Sequence, residues 1–563
     1  MWARALLLAA PVALVLSAAA HADAFGGCDG YPEPTAEGDG MTSGAPPLVV
    51  LGPPGQEAPQ SRRTELGPIG IGDCDVALAA LPAKYWKRRA SLLQARAIHR
   101  METTNGAAAA MVDLDLADRA GEGQDDPYYE RSLGLGISLV RAYALRQMGE
   151  PAQAESYAMR TLARRPFDWP TNVSAVLAMG PSASDDNVEK AVQGMARLSP
   201  YSIDVLFRQA VREGRYEEMI ALYPQLVPSE QFGDPDSSRQ AKAELEERNR
   251  ADTEIFWARR ASVCAYALAA TGRGAEARAM IESARERLAR AVQDPGQRTQ
   301  YPRELVLSAN QRIAASAGPL IDQWAAQVEL RAMLSEDRFG EVIIALPRLK
   351  PVDDWPSVEL FNTLAARLPF IAPSASARAK SLQQDMSARA DRPEHDLQVL
   401  WTSLPAPEAA DRIPPYRKAQ RALNLFGGGG SDFGQDGDGF TEFAQADKGL
   451  TIVRFRSYEG DASTASEMAL LRAADLALQA GRPGFIVVAR QDAEFTVTKN
   501  RPTDLQGRRT LGDGYETEFQ VAFVDPAALP AAYKDASWRV IDAASVHAAL
   551  APIYQAAPAK KAS

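Results

Sequence analysis

Ala142-Tyr143-Ala144-Leu145, followed by Gly149, Ala154 and Pro166, returns 123 residues later as Ala265-Tyr266-Ala267-Leu268, followed by Gly272 and Ala277. The same offset carries Arg215-Tyr216 onto Arg338-Phe339, and Pro224, Leu226 and Pro228 onto Pro347, Leu349 and Pro351. Residues 201–228 and 324–351 share 9 identities in 28 positions, against about two expected from average composition. A constant offset across separated windows points to an internal duplication. Its blocks are 133–228 and 256–351, joined by a polar connector at 229–253. Within each block apolar residues recur at three and four positions, the period of an amphipathic helix.

The pattern extends well beyond the blocks. From about Val76 to Leu425 the chain reads as paired helices of 12–18 residues, broken by Gly, Pro, Asn or Asp. The spacing predicts helices over Tyr85–Met101, Ala107–Arg119, Gly136–Met148, Ala152–Arg164 and Val188–Leu198. The unit Ala142, Gly149, Ala154, Pro166 places a small residue in the first helix, Gly in the turn, Ala where the helices touch and Pro at the end of the second. Ala265, Gly272, Ala277 and Ala284 form a second unit, and Arg96, Ala97 and Ala109 a weaker one. Pro200 follows Pro166 by 34 residues. In these features the region resembles tetratricopeptide (TPR) repeat proteins. The resemblance implies an α-solenoid, superhelical repeats with a concave groove lined by the first helix of each pair.

The 563-residue chain is 46% hydrophobic and 24% charged, with a net charge of −10. An acidic balance argues against nucleic acid as the main partner. Arg4, the apolar stretch Ala5–Ala20 and Ala22-Asp23-Ala24 together read as a signal peptide over 1–24, cleaved before Phe25. No later apolar run approaches the ~20 residues of a membrane helix. A periplasmic protein is expected. The alternative, an outer-membrane lipoprotein anchored through Cys28, has to use Phe25-Gly26-Gly27 as its lipobox. Residues 25–72 hold 8 Pro and 11 Gly, so the N-terminal segment 25–75 is expected to be extended. Cys28 and Cys74 flank it in similar settings and are expected to form a disulfide in an oxidising compartment. Cys264, inside a helical pattern, reads as a buried thiol.

Helical character fades after Arg421, and the chain changes class. Gly427-Gly428-Gly429-Gly430 opens a Gly/Asp-rich linker at 426–439, followed by a small α+β domain at 440–555 and a tail at 556–563. Strands are predicted over Leu450–Tyr458, Gly484–Arg490, Glu494–Lys499 and Tyr515–Val524. Helices are predicted over Ser463–Ala480, with Ser463 or Thr464 as N-cap, and over Ala543–Tyr554. Ile452-Val453-Arg454-Phe455-Arg456, the helix Ala469–Leu478, Gly484-Phe485-Ile486-Val487-Val488 and Asp542–Leu550 resemble a family of small uncharacterised proteobacterial envelope lipoproteins. That resemblance implies an envelope location and a sheet-plus-helix fold, with no catalytic residues to carry over. The fold class expected is thus mostly α: α-α (TPR-like) superhelical repeats followed by a small α+β domain.

No nucleotide-binding, zinc-protease or serine-hydrolase motif is present, and His99, His395 and His547 are isolated. No catalytic residue, metal site or cofactor is therefore assigned. Asp113, Asp115 and Asp118 read as a solvated face, and Asp432, Asp436 and Asp438 as a hinge rather than a calcium loop. The repeat resemblance places Tyr143 and Tyr266 on the groove, with Arg146, Gln147, Arg259 and Ser262 beside them, as partner-binding residues. The expected function is an exported scaffold or assembly protein that binds a protein or peptide in the cell envelope. Two alternatives stand. One is an enzyme or small-ligand binder with its site in the C-terminal domain, using Arg454, Arg456, Glu467 or Asp475. The other is a structural envelope lipoprotein.

Overall fold

A computed structural model describes residues 24–31, 66–124, 128–180, 184–228, 239–293, 302–390, 393–405, 413–419, 439–457, 460–499 and 509–555, with a few single positions beside them. The signal peptide, the Gly/Asp-rich linker and the tail lie outside the described residues. The chain forms two compact units, one of residues 55–199 with 394–563 and the N-terminal residues, the other essentially 200–393.

In the first unit, helices α1 (Pro68–Ala80), α2 (Trp86–Met101), α3 (Ala107–Gly121), α4 (Leu133–Gln147), α5 (Pro151–Arg164), α6 (Trp169–Met179) and α7 (Asp185–Leu198) pack in succession, with α16 (Pro393–Ser403) against them. Their boundaries follow local chemistry. Pro151 opens α5, where its missing N–H costs nothing. Asp168 caps α6 by accepting from the Thr171 N–H at 3.0 Å. The helices anticipated from periodicity are present to within three residues at each end. The start of α1 at Pro68 corrects the extended reading of 25–75, and residues 24–29 are helical as well. Pro68 stands at the first helical position, where its missing N–H has no helical partner to lose.

The expected disulfide joins Cys28 to Cys74, with Cα atoms 4.7 Å apart. It closes a cluster of Phe25, Ala77, Leu81, Leu92 and Ala95. Buried Arg88 bridges Asp29 at 2.9 Å and donates to the Tyr31 carbonyl at 2.8 Å. Ser91 also donates to Asp29, at 2.9 Å. His99, fully buried, donates from Nε2 to the Cys28 carbonyl at 2.8 Å, and burial lowers its pKa.

The same unit contains an antiparallel sheet of order β1-β2-β4-β3-β5. Its strands are β1 (Gly439–Gln445), β2 (Leu450–Ser457), β3 (Gly484–Lys499), β4 (Arg509–Val524) and β5 (Ile541–Asp542). The two strands expected at 484–490 and 494–499 are one strand, β3, with a register shift between Val487 and Ala489. β1 had no counterpart in the sequence reading. Helix α17 (Ala462–Gln479) covers one face of the sheet, and α18 (Ala543–Tyr554) packs on α17. The N-cap of α17 is Asp461, which accepts from the Thr464 N–H at 2.6 Å, rather than Ser463 or Thr464. α17 is buried on nearly all sides instead of amphipathic. The sheet, α17 and α18 build a core around Val453, Phe455, Phe485 and Phe519, to which the helical region adds Leu198, with Phe167 and Trp169 packed against it.

The second unit runs through α8 (Ile203–Glu213), α9 (Tyr216–Leu222), α10 (Arg239–Ala270), α11 (Gly274–Gln293), α12 (Arg303–Ser335), α13 (Phe339–Ala345), α14 (Trp355–Arg367) and α15 (Ala372–Ala390). α10 and α12, of 32 and 33 residues, exceed the expected 12–18. Much of the anticipated connector 229–253 belongs to α10. The duplication recurs as local geometry. Gly149 and Gly272 share φ 80, and the N–H of the residue just before each second helix bonds back identically, Glu150 to Leu145 and Arg273 to Leu268. Gly214 and Asp337 share the left-handed conformation at φ 69 and 57, and Arg215 bonds Ala210 as Arg338 bonds Met333. Both positions precede a seven-residue helix and a 3-10 turn, at 223–225 and 346–348.

A Cys28→Ser/Cys74→Ser variant should lose about 4 kcal/mol, the loop-closure value for a separation of this length. Urea unfolding of oxidised wild type against the variant measures the shift.

Candidate functional site

Tyr143 and Tyr266, expected to line a groove, occupy equivalent places in the two blocks, and both are buried. On α4 the Arg146 guanidinium lies 4.8 Å from the Tyr143 ring centroid. Arg146 itself reaches the Leu177 carbonyl of α6 and, at 3.2 Å, Asp396 of α16. Burial pushes the Tyr143 phenol above its ordinary pKa. On α10, Tyr266 donates its hydroxyl to Glu359 of α14 and sets its ring against Trp324 and Tyr216, at 6.2 and 6.3 Å. Burial, with Glu359 beside it, raises its pKa strongly. Arg331 shares the same carboxylate at 3.2 Å.

Tyr143 and Tyr266 thus hold helices together, and this corrects their placement on an open groove. An anchor for a partner needs an exposed ring, and later helices cover both. Ser262 is also buried, bonding back to the Ala258 carbonyl at 2.7 Å. Gln147 and Arg259 are exposed, and Arg146 is half-buried.

Sequence reasoning missed a second assembly. Glu467 of α17 is fully buried. It accepts from Arg165 Nε and Nη2 at 3.1 and 2.9 Å, from Arg131 Nη2 at 2.7 Å and from the Tyr554 hydroxyl at 2.5 Å. Arg165 donates onward to the Arg131 carbonyl at 2.9 Å and to the Tyr128 hydroxyl at 3.3 Å. Thr464 and Tyr554 also reach Tyr128, each at 3.3 Å. Burial raises the pKa of Glu467, and the Arg165 and Arg131 guanidiniums more than reverse this, holding it at about 2. Burial raises Tyr128 to about 12 and pushes Asp461 upward. A carboxylate held so low has no proton to exchange near neutral pH, so this geometry suits clamping rather than acid–base work. Glu467 was one candidate polar group in the sequence. Its arginine partners lie 336 and 302 residues away along the chain and Tyr554 lies 87 away, and no spacing signal connects them.

Arg454 and Asp475 are paired elsewhere. Arg454 bridges Glu518 at 2.6 Å and Glu516 at 3.4 Å across β2 and β4, and Asp475 accepts from the Tyr416 hydroxyl at 2.6 Å. Asp113 departs from the solvated face expected of it. It is buried under Arg96, at 3.0 and 2.6 Å, and Arg100, at 3.2 Å, whereas exposed Asp115 and Asp118 are held by Arg141. Among the described residues no group of three or more His, Cys, Asp or Glu side chains is placed to hold a metal ion. Nor is any helix among them long and apolar enough to cross a membrane. No family model, curated protein or solved structure matches the chain.

Two outcomes follow. Glu467→Gln should cost about 3–5 kcal/mol, because it leaves buried guanidiniums uncompensated. Since the folded pKa lies below the ordinary 4.5, the stability Glu467 supplies is present above about pH 4.5 and is lost as pH falls toward 2. Denaturant titrations across that window should show the variant's stability falling less steeply than wild type. Tyr143→Ala and Tyr266→Ala should each cost about 3–5 kcal/mol by opening a core cavity, read as a lowered unfolding midpoint.

Proposed function

We propose that this is an exported protein of the bacterial cell envelope whose stacked, TPR-like helix pairs present a binding surface to a protein or peptide partner. The observation that carries this reading is the repeated helix pair at a constant 123-residue offset, with turn conformation and backbone hydrogen bonds reproduced at 149 and 272. Stacked helix pairs are a common platform for peptide recognition, because each added pair extends one continuous face. The Cys28–Cys74 bond supports an oxidising compartment and, with the signal pattern over 1–24, export to the periplasm. A sulfur held in a buried disulfide is not free to carry a lipid, which favours the soluble form over the lipoprotein alternative.

In this reading the C-terminal sheet, clamped on α4–α7 through Glu467, braces the helices and keeps their spacing. Exposed Gln147 and Arg259 replace the tyrosines as the residues to alter. The tagged mature chain and a Gln147→Glu/Arg259→Glu variant, both with native circular dichroism, would be used to capture partners from envelope extracts. A partner retained by wild type and depleted at least fivefold by the variant is expected. Capture of no partner by the wild-type chain counts against the reading. N-terminal sequencing of the exported chain should begin at Phe25.

A further inference from the structure

We infer that Arg539, with Arg197 beside it, forms a binding site for a small carboxylate ligand where α7, β3 and the 3-10 turn Ser537–Arg539 meet. This site is independent of the partner-binding reading. Five arginines are buried among the described residues: Arg88, Arg141, Arg165, Arg490 and Arg539. Arg88 has Asp29, Arg141 has Asp115 and Asp118, Arg165 has Glu467, and Arg490 has Asp492. Arg539 has no carboxylate among the described residues. It is only 7% exposed, and the one hydrogen bond of its side chain runs to the Val487 carbonyl at 2.7 Å. Its Nε is buried without an acceptor.

The bond to Val487 accounts for a donor and not for a charge. Val487 stands at the register shift of β3 against β4. A carbonyl at such a shift needs one N–H, which a neutral side chain also supplies. A guanidinium brings a full positive charge to a buried place, and that is costly unless an anion answers it. Burial lowers the pKa of Arg539, and no carboxylate opposes it. Arg197 of α7 shows the same imbalance. Half-buried, it donates Nε to the carbonyl of Trp538, the residue before Arg539, at 2.6 Å. Burial lowers its pKa as well, and among the described residues it too has no carboxylate partner. Two guanidiniums from distant segments thus meet at one peptide unit.

The chain's own pairings give the class of ligand. The other buried guanidiniums are all met by carboxylates, whose two oxygens match the planar fork. One buried positive charge calls for a singly charged anion, since the charge of half-buried Arg197 is shared with solvent. The surroundings are apolar and aromatic: Val540 and Tyr533 pack against Ile486, Ala522 and Val524. A monocarboxylate with a short apolar body suits them better than a phosphate. Ser537 is exposed and Trp538 half-buried, so Arg539 lies just beneath the surface.

The test follows thermal unfolding of the full chain at neutral pH, with sodium acetate replacing sodium chloride at constant ionic strength. A ligand that binds the folded state raises the midpoint, so acetate should raise it saturably in wild type. Arg539→Met should abolish the response. In chloride alone it should unfold no earlier than wild type, because it removes a buried charge that no carboxylate answers. Arg197→Gln should keep native circular dichroism and need at least tenfold more acetate. Arg285→Gln, at an exposed arginine of α11, should respond as wild type does. No saturable response in wild type, or an equal response in Arg539→Met, overturns the site. So does an Arg539→Met chain that unfolds earlier than wild type in chloride, because the arginine would then serve the fold alone. A larger response to phosphate than to acetate overturns the carboxylate assignment.

Discussion

The carboxylate of Glu467 is the point on which the first unit turns. Two arginines from the helical region and a tyrosine from the last helix converge on one buried anion, so three stretches of chain far apart in sequence meet at one atom group. A buried charge is tolerated only when its partners are in place, and that makes the arrangement all-or-none. Helices, sheet and closing helix must assemble together. The core beside that carboxylate is built almost wholly by the C-terminal region, from Val453, Phe455, Phe485 and Phe519 among others, with Leu198 reaching in from α7. The arrangement also explains α17, which is buried on both sides because sheet and helices each claim a face.

A second constraint is local and repeated. Chain reversal between paired helices uses a residue in the left-handed conformation, and glycine supplies it at 149, 214 and 272. At 337 the duplicate carries Asp, a residue that tolerates this conformation better than most. The Asp337 carboxylate accepts from Arg367 at 2.7 Å, tying the turn to α14. The blocks diverge where their flanking residues differ. Pro200 opens a 3-10 turn before α8, while its counterpart Gln323 lies within the unbroken α12.

Much of the architecture was legible along the chain. Helix existence, approximate boundaries, the disulfide and the change of class near residue 440 follow from periodicity, capping chemistry, cysteine context and Gly/Pro punctuation, all of which act over a few residues. The candidate site was legible only in part. Ala142-Tyr143 and Ala265-Tyr266 marked equivalent positions, but Tyr143 lies in a core that Leu397 and Leu400 of α16 complete, and Tyr266 bonds Glu359 of α14. Periodicity shows which way a residue points on its own helix. It does not show which later helix will cover it.

The sequence alone determined most of the helices, the repeat and its offset, and the cysteine pairing, because these depend on backbone preference and near-neighbour spacing. Tertiary structure decided which tyrosines are core and which carboxylate becomes the clamp. Those outcomes depend on burial, and burial is set by the meeting of segments hundreds of residues apart, where one partner's charge or bulk changes what the other contributes.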